Sequence, residues 1–173
     1  MKESLVLVDE FGHRLGLADR SLCHQGQGIR HRAFVVFLFA DDGMLLLQKR
    51  TAAKLGGDRW DVSATSHVRG DESYFMAIKR CLRHELGIRE SVSPQYLLAY
   101  TYQEQMGGWA ENEHCSVFTI DYQGPIQENL HEVDEIRWMT PDSLGHWFER
   151  DVSQFTQWFS EAFRRMVRHP GWG

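Results

Sequence analysis

Cysteine is scarce and unpatterned in this chain. Cys23, Cys81 and Cys115 are odd in number and show no Cys-x-x-Cys spacing, which excludes a disulfide framework and points to a reducing compartment. Each of the three reads as a small buried hydrophobe. Excess positive charge is lacking too. Nineteen Lys and Arg against 24 Asp and Glu give a net charge of -5 and a pI near 6.0, so there is no basic field to hold a nucleic acid. An anionic small molecule would need locally placed Lys and Arg. No charged-then-apolar leader opens the sequence and no apolar run approaches a membrane span, the pattern of a soluble, cytoplasmic protein. Repeats, low-complexity stretches and linkers are also absent, so residues 1–173 are read as a single domain.

What is present supports a substantial core: 42% of residues are hydrophobic and 12% aromatic. Residues 4–18 read as an N-terminal hairpin turning at Glu10-Phe11-Gly12-His13. Residues 33–40 and 44–48 form a second antiparallel pair around Asp41-Asp42-Gly43, apolar enough to be buried on both faces. A polar, Gly-containing loop over 51–60 leads into an extended stretch over 60–66 that ends at His67. Phe75, Ile78, Leu82 and Leu86 recur at helical spacing before Gly87, which predicts a helix over 74–86. Strands follow over 96–102, 113–122 and 133–139, then helices over 141–149 and 153–168, with residues 169–173 expected to fray. The order is α+β with mixed strands.

Five side chains stand out as candidate metal ligands: His24, His31, His67, Glu111 and Glu113. In Glu111-Asn112-Glu113 the two-residue period of a strand puts both carboxylates on one face and Asn112 on the other. Two like charges held together call for a metal or a shared proton. Taken singly, each residue reads as a core histidine or a solvated strand edge; the set of five nitrogen and oxygen donors carries the signal.

Residues 66–88 add Glu72, Arg80, Glu85, Gly87 and Ile88, on a loop leading into the predicted helix. This spacing resembles the Nudix box, a metal- and diphosphate-binding loop and helix. Ser66 stands where the box has its first Gly, Cys81 replaces the Glu of its Arg-Glu pair, and His84 replaces the first Glu of its Glu-Glu pair, leaving Glu85. Joined to the three histidines, to Glu111-Asn112-Glu113 with Cys115 and Phe118, and to Phe155 with Trp158, the pattern is similar to the type I isopentenyl-diphosphate Δ-isomerases over most of the chain. That resemblance implies a Nudix fold, a mixed β-sheet core flanked by helices. It implies a divalent metal, manganese, zinc or magnesium, on His24, His31, His67, Glu111 and Glu113, and a magnesium on the substrate diphosphate that uses Glu85.

The reaction implied is the movement of a double bond in isopentenyl or dimethylallyl diphosphate by protonation to a tertiary carbocation and loss of a neighbouring proton. Glu113 matches the acid, with the Tyr102 phenol beside it, and the Trp158 indole matches the ring that stabilises the cation. Arg20, Arg50 and Lys54 match positions that bind the diphosphate. Thr65 stands where the family has a catalytic cysteine, two residues before His67. A thiol titrates near ~8.5, whereas an aliphatic hydroxyl is not ionised at neutral pH without a dedicated base. Cys23 adjoins His24 as a conceivable substitute thiol, and Cys81 occupies a position where the family can place a phosphate-binding Arg. Three functions stay open: a divergent isomerase, a Nudix-type hydrolase in which metals activate water against an organic diphosphate, and a non-catalytic metal or diphosphate binder. Oligomeric state is not legible in the sequence.

Overall fold

The computed structural model describes residues 3–170. Its framework is a mixed, curled sheet centred on one apolar strand, β3 (His31–Phe39), where the alternation of a one-sided strand gives way to near-continuous burial. On one side β3 pairs antiparallel with β6 (Ala64–His67), and on the other it runs parallel to β8 (Trp109–Asp121) over its whole length. At its ends it meets β1 (Ser4–Val8), which pairs with β2 (Arg14–Asp19), and β4 (Leu45–Arg50), which carries β5 (Trp60–Asp61) and β9 (Val133–Met139). The hairpin between β7 (Gln95–Met106) and β8 completes the sheet.

Each face of β3 feeds a separate core. Phe34, Val36 and Leu38 pack against Ile78, Cys81, Leu82 and Leu86 of α2 (Tyr74–Leu86). Ala33, Val35 and Phe37 pack in the cluster that holds α3 (Pro141–Arg150) and α4 (Gln157–Met166). In that second core Phe155, Phe159 and Phe163 stack in succession at centroid spacings of 4.8 and 5.4 Å. The helices start where side chains supply the missing acceptors: Ser73, Thr140 and Thr156 each accept a backbone N–H at a helix N-terminus. α2 stops at Gly87, whose φ of +67° is left-handed and whose added Cβ would lie 2.7 Å from the Gln127 carbonyl oxygen.

Three expectations are corrected. Phe75 is 47% exposed rather than part of the buried stripe; three residues before Ile78 places it about 60° round the helix from that residue. The hairpin strands are longer than expected, because Gly107 and Gly108, both at positive φ, make a tight turn that extends β7 to Met106 and starts β8 at Trp109. The final helix is not continuous from residue 153. A 3₁₀ turn over Val152–Gln154 and an extended Phe155, bridged to Trp60, precede α4, because Thr156 donates its N–H to the Trp60 carbonyl and then caps the helix. A short helix, α1 (Arg20–Cys23), capped by Asp19, was not anticipated. The fraying expected at the C-terminus falls in part on residues 171–173, outside the described residues. Among the described residues no helix is long and apolar enough to cross a membrane, and the three cysteines are free and buried.

Phe159 is fully buried between two stacked rings, so Phe159→Ala should lower the unfolding free energy by about 3–5 kcal/mol. Urea denaturation followed by tryptophan fluorescence reads this, and a loss below ~1 kcal/mol would contradict the packing.

Candidate active site

Strand register assembles the candidate residues. Ala33 pairs with His67, His31 with Glu113, Val35 with Thr65, and Glu113 with Tyr102. Paired residues, and residues two apart on one strand, share a face. His31, His67, Thr65, Glu111, Glu113 and Tyr102 therefore project from the same side, while Asn112 points away and donates to the Gly28 carbonyl at 3.0 Å. His24 enters from beyond the sheet, at the end of α1. Its carbonyl accepts from Ala110 N–H and its ring Nδ1 donates to the Ala110 carbonyl, both at 2.9 Å, and Trp109 stacks on it at 4.3 Å.

The three imidazoles meet at centroid separations of 4.7, 4.8 and 5.0 Å. Donor atoms of His24, His31, His67 and Glu111 lie within 4.8 Å of one another, and Glu113 Oε1 is 3.0 Å from His67 Nε2 and 3.9 Å from His31 Nε2. His31 Nδ1 donates to the Ile29 carbonyl at 2.8 Å. With both Nδ1 protons committed to backbone oxygens, His24 Nε2, His31 Nε2 and Glu111 Oε2 are left buried with no hydrogen-bond partner. Each such orphan costs about 1–3 kcal/mol. Backbone carbonyls that fix the tautomer and leave the other ring nitrogen free are the usual support of a metal-binding histidine. The donor set, three imidazoles and two carboxylates, fits a divalent cation.

The field of the site is consistent with that fit. Burial disfavours a charged His67, but the adjacent Glu111 and Glu113 carboxylates outweigh burial and push its pKa up to about 9. Burial, with the nearby charge of His67, pushes His31 down to about 3. Burial would raise Glu111, yet the His24 and His67 imidazoles beside it, 3.4 and 3.9 Å from its Oε2, hold it well below the usual carboxylate range. Burial and the Glu111 charge raise Glu113 above its ordinary value, against the opposing pull of His67 and Tyr102. Burial, with Glu113 next, also pushes the Tyr102 phenol well up.

These groups open onto a cleft of about 510 Å³ whose lining includes Thr65, His67, Glu111, Glu113 and Trp158 together with Arg20, Arg50, Lys54, Arg69, Arg80 and Glu85. Tyr102 is partly buried behind Glu113, packed on the aromatic core. Thr65 Oγ1 donates to the Phe34 carbonyl at 3.0 Å, so it offers the cleft lone pairs and no proton. Neither nearby thiol substitutes for it. Burial raises Cys23 to about 11, with its sulfur 4.0 Å from the Ala18 carbonyl, and burial holds Cys81 well above the ordinary thiol value while its sulfur donates to the Thr65 carbonyl.

The cleft's cations are already anchored. Arg50 donates to Asp61 at 3.0 Å and to the Leu55 carbonyl at 2.9 Å. Lys54 sits 2.8 Å from Glu85 and 2.7 Å from Glu132. Arg20 lies over Trp109 at 5.5 Å and 4.0 Å from Glu3. Two further arginines were not singled out as ligand-binding: Arg69, bonded to Glu3 at 2.9 Å, and Arg80, which grips Glu72 at 2.7 and 2.8 Å. Asp61 was missed altogether. It is fully buried and accepts from Trp158 Nε1 at 2.8 Å, Thr156 Oγ1 at 3.0 Å and Arg50, fixing the indole in the cleft wall. Gly56, at φ +68°, lets the loop close over that ring, since a Cβ there would stand 2.9 Å from Trp158 Cη2.

Residues 29–159 match the model of the NUDIX domain. The chain belongs to the NUDIX family. It is 31% identical over 160 residues to the isopentenyl-diphosphate Delta-isomerase of Burkholderia multivorans, covering 92% of this chain and 90% of that one. It is 33% identical over 161 residues to the enzyme of the same name from Serratia proteamaculans, covering 92% and 88%. A crystal structure of a Deinococcus radiodurans protein superposes with a TM-score of 0.74 at 23% identity, covering 94% of this chain and 98% of that one. A MutT protein from Methanosarcina mazei gives 0.64 at 16% identity, covering 80% and 94%. These structures share the Nudix fold, and the isomerase relatives place the chain in an enzyme family.

The raised pKa of His67 carries a sign. A basic group pushed up by folding stabilises fully below its unfolded value of 6.5, and that contribution is lost as pH rises through about 9. Chelator-treated protein should therefore lose urea resistance between pH 6.5 and 9, and His67→Gln should flatten the decline. A midpoint that stays level in the unsubstituted protein would contradict the His67–carboxylate pairing.

Proposed function

We propose that this NUDIX protein is a divalent-metal-dependent isomerase of a small alkenyl diphosphate, interconverting isopentenyl and dimethylallyl diphosphate. The observation that carries this reading is the juxtaposition of a buried carboxyl, Glu113, with an anchored indole, Trp158, in one cleft rimmed by Arg and Lys. A divalent ion on His24, His31, His67, Glu111 and Glu113 would supply positive charge that neutralises the paired carboxylates and acidifies a nearby proton.

The chain's own residues account for the remaining chemistry. Arg20, Lys54, Arg69 and Arg80 are the cations that bind and orient the diphosphate. Glu113, whose burial beside Glu111 favours its protonated form, transfers the proton to the terminal alkene carbon, with Tyr102 hydrogen-bonding the carboxylate left behind. The tertiary cation that forms is stabilised by the Trp158 ring, held edge-on by Asp61 so that it cannot turn away. Loss of a proton from the adjacent carbon completes the shift. Thr65 is not a base, but its lone pairs can hold a water that takes this proton. That same feature favours a second reading, hydrolysis of a small organic diphosphate, because a water held in a metal-containing cleft is also a nucleophile.

Proton and phosphorus NMR on protein supplied with isopentenyl diphosphate, magnesium and manganese separates the two. The isomerase reading expects dimethylallyl diphosphate with both phosphorus signals intact; released phosphate with the double bond unmoved would establish the hydrolase and overturn it. Glu113→Gln should lower isomerisation by ~10²–10⁴-fold. Thr65→Cys should raise the rate, and no gain in a folded variant would remove Thr65 from the reacting position.

A further inference from the structure

The helical wall of the cleft holds a second group of oxygen donors, and the family resemblance places a magnesium there, on Glu85. With Lys54 in place, the group does not fit that ion. Glu85 has no free oxygen: Oε1 accepts from Lys54 Nζ at 2.8 Å and Oε2 from Gln48 Nε2 at 2.9 Å. Lys54 Nζ also contacts Glu132 Oε2 at 2.7 Å, and the other oxygen of Glu132 is 3.1 Å from His84 Nε2. Glu85 is 6% exposed and Gln48 is fully buried, with its Oε1 left without a partner beside the same carboxylate. Carboxylates from α2 and the segment before β9 thus hold one cation between them, and that cation belongs to the chain. Its backbone is set for the task, since Lys54 N–H donates to the Thr51 carbonyl at 3.0 Å and its own carbonyl accepts from Gly57 at 2.9 Å.

We propose that the Lys54 ammonium is the resident cation of the Glu85–Glu132 pair and keeps a divalent ion out of it. Two carboxylates, with an imidazole beside the second, are donors of the kind that suit magnesium or manganese. A lysine ammonium is a compact point charge with three donors that satisfies the same carboxylate lone pairs. The two cations therefore exclude each other. The free chain takes one divalent ion, at the histidine cluster, and a magnesium that arrives on a diphosphate enters the α2 site only by displacing Lys54 onto the phosphate oxygens. The count of one rests on the metal reading of the histidine cluster; the role of Lys54 is read separately, as a difference between variants.

Manganese binding to the full chelator-treated chain, titrated calorimetrically and by the paramagnetic resonance of free manganese, tests this. Wild type should bind one ion and Lys54→Met two. Lys54→Arg, which keeps the positive charge, and the double variant Lys54→Met/Glu85→Gln should each bind one. A folded Lys54→Met that binds no more manganese than wild type overturns the proposal. Should Lys54→Met fail to fold, wild type still decides. A second ion bound by wild type and lost in Glu85→Gln overturns the proposal, and an unchanged single ion in that variant supports it. Wild type that binds none, with Lys54→Met binding one, would instead overturn the histidine-cluster reading while upholding the role of Lys54.

Discussion

The parallel pairing of β3 with β8 is the constraint on which everything else depends. It sets His31 against Glu113 and Ala33 against Cys115, and through β6 and β7 it extends the same row to His67 and Tyr102. Because side chains alternate along a strand, a slip of one residue would send both carboxylates to the opposite face. The slip is prevented by the two cores rather than by the site. Ala33, Val35 and Phe37 on one face, and Phe34, Val36 and Leu38 on the other, each fill a different hydrophobic cluster, so a shifted register would misplace apolar volume on both sides at once. The donors are held in place by aliphatic and aromatic packing.

Charge is handled in the same economical manner. With a net charge of -5 the chain has no diffuse positive field, and its cleft cations are fixed individually on acidic partners: Arg50 on Asp61, Arg80 on Glu72, Lys54 on Glu85 and Glu132. Each pair orients a cation at the cost of part of its charge. A diphosphate entering such a cleft meets donors whose geometry is preset, which lowers the ordering cost of binding. Asp61 has a second role, since the carboxylate that holds Arg50 also holds the indole of Trp158. The Arg50 guanidinium and the Trp158 wall of the cleft are thereby mechanically joined.

Much of the fold was legible from local pattern. The Gly87 stop, the Asp41-Asp42-Gly43 turn and the apolar run over 33–40 each follow from short-range chemistry, and the structure carries α2, the β3–β4 connection and β3 at those places. What escaped was set at a distance. The break before α4 exists because Thr156 reaches back to Trp60, a contact that helical periodicity does not encode. The extension of the β7–β8 hairpin was partly visible in Gly107-Gly108, but its polar segments lack the hydrophobic alternation that marks a strand locally. Phe75 shows the opposite failure, since an apolar residue at almost the right spacing ends on the rim of the stripe.

By itself the sequence determined which chemistry was available: imidazoles and carboxylates as donors, a hydroxyl at Thr65, and a net negative charge. Residue type and the two-residue period of a strand are local properties, so they survive without coordinates. The tertiary structure alone decided that His24, carried on a separate short helix, swings onto Ala110 to meet the other donors. It alone placed Asp61 behind Trp158, ninety-seven residues apart in the chain, and wedged Lys54 between Glu85 and Glu132. Those contacts depend on which distant segments the two cores press together, and burial then converts weak surface pairings into strong ones by removing the competing water.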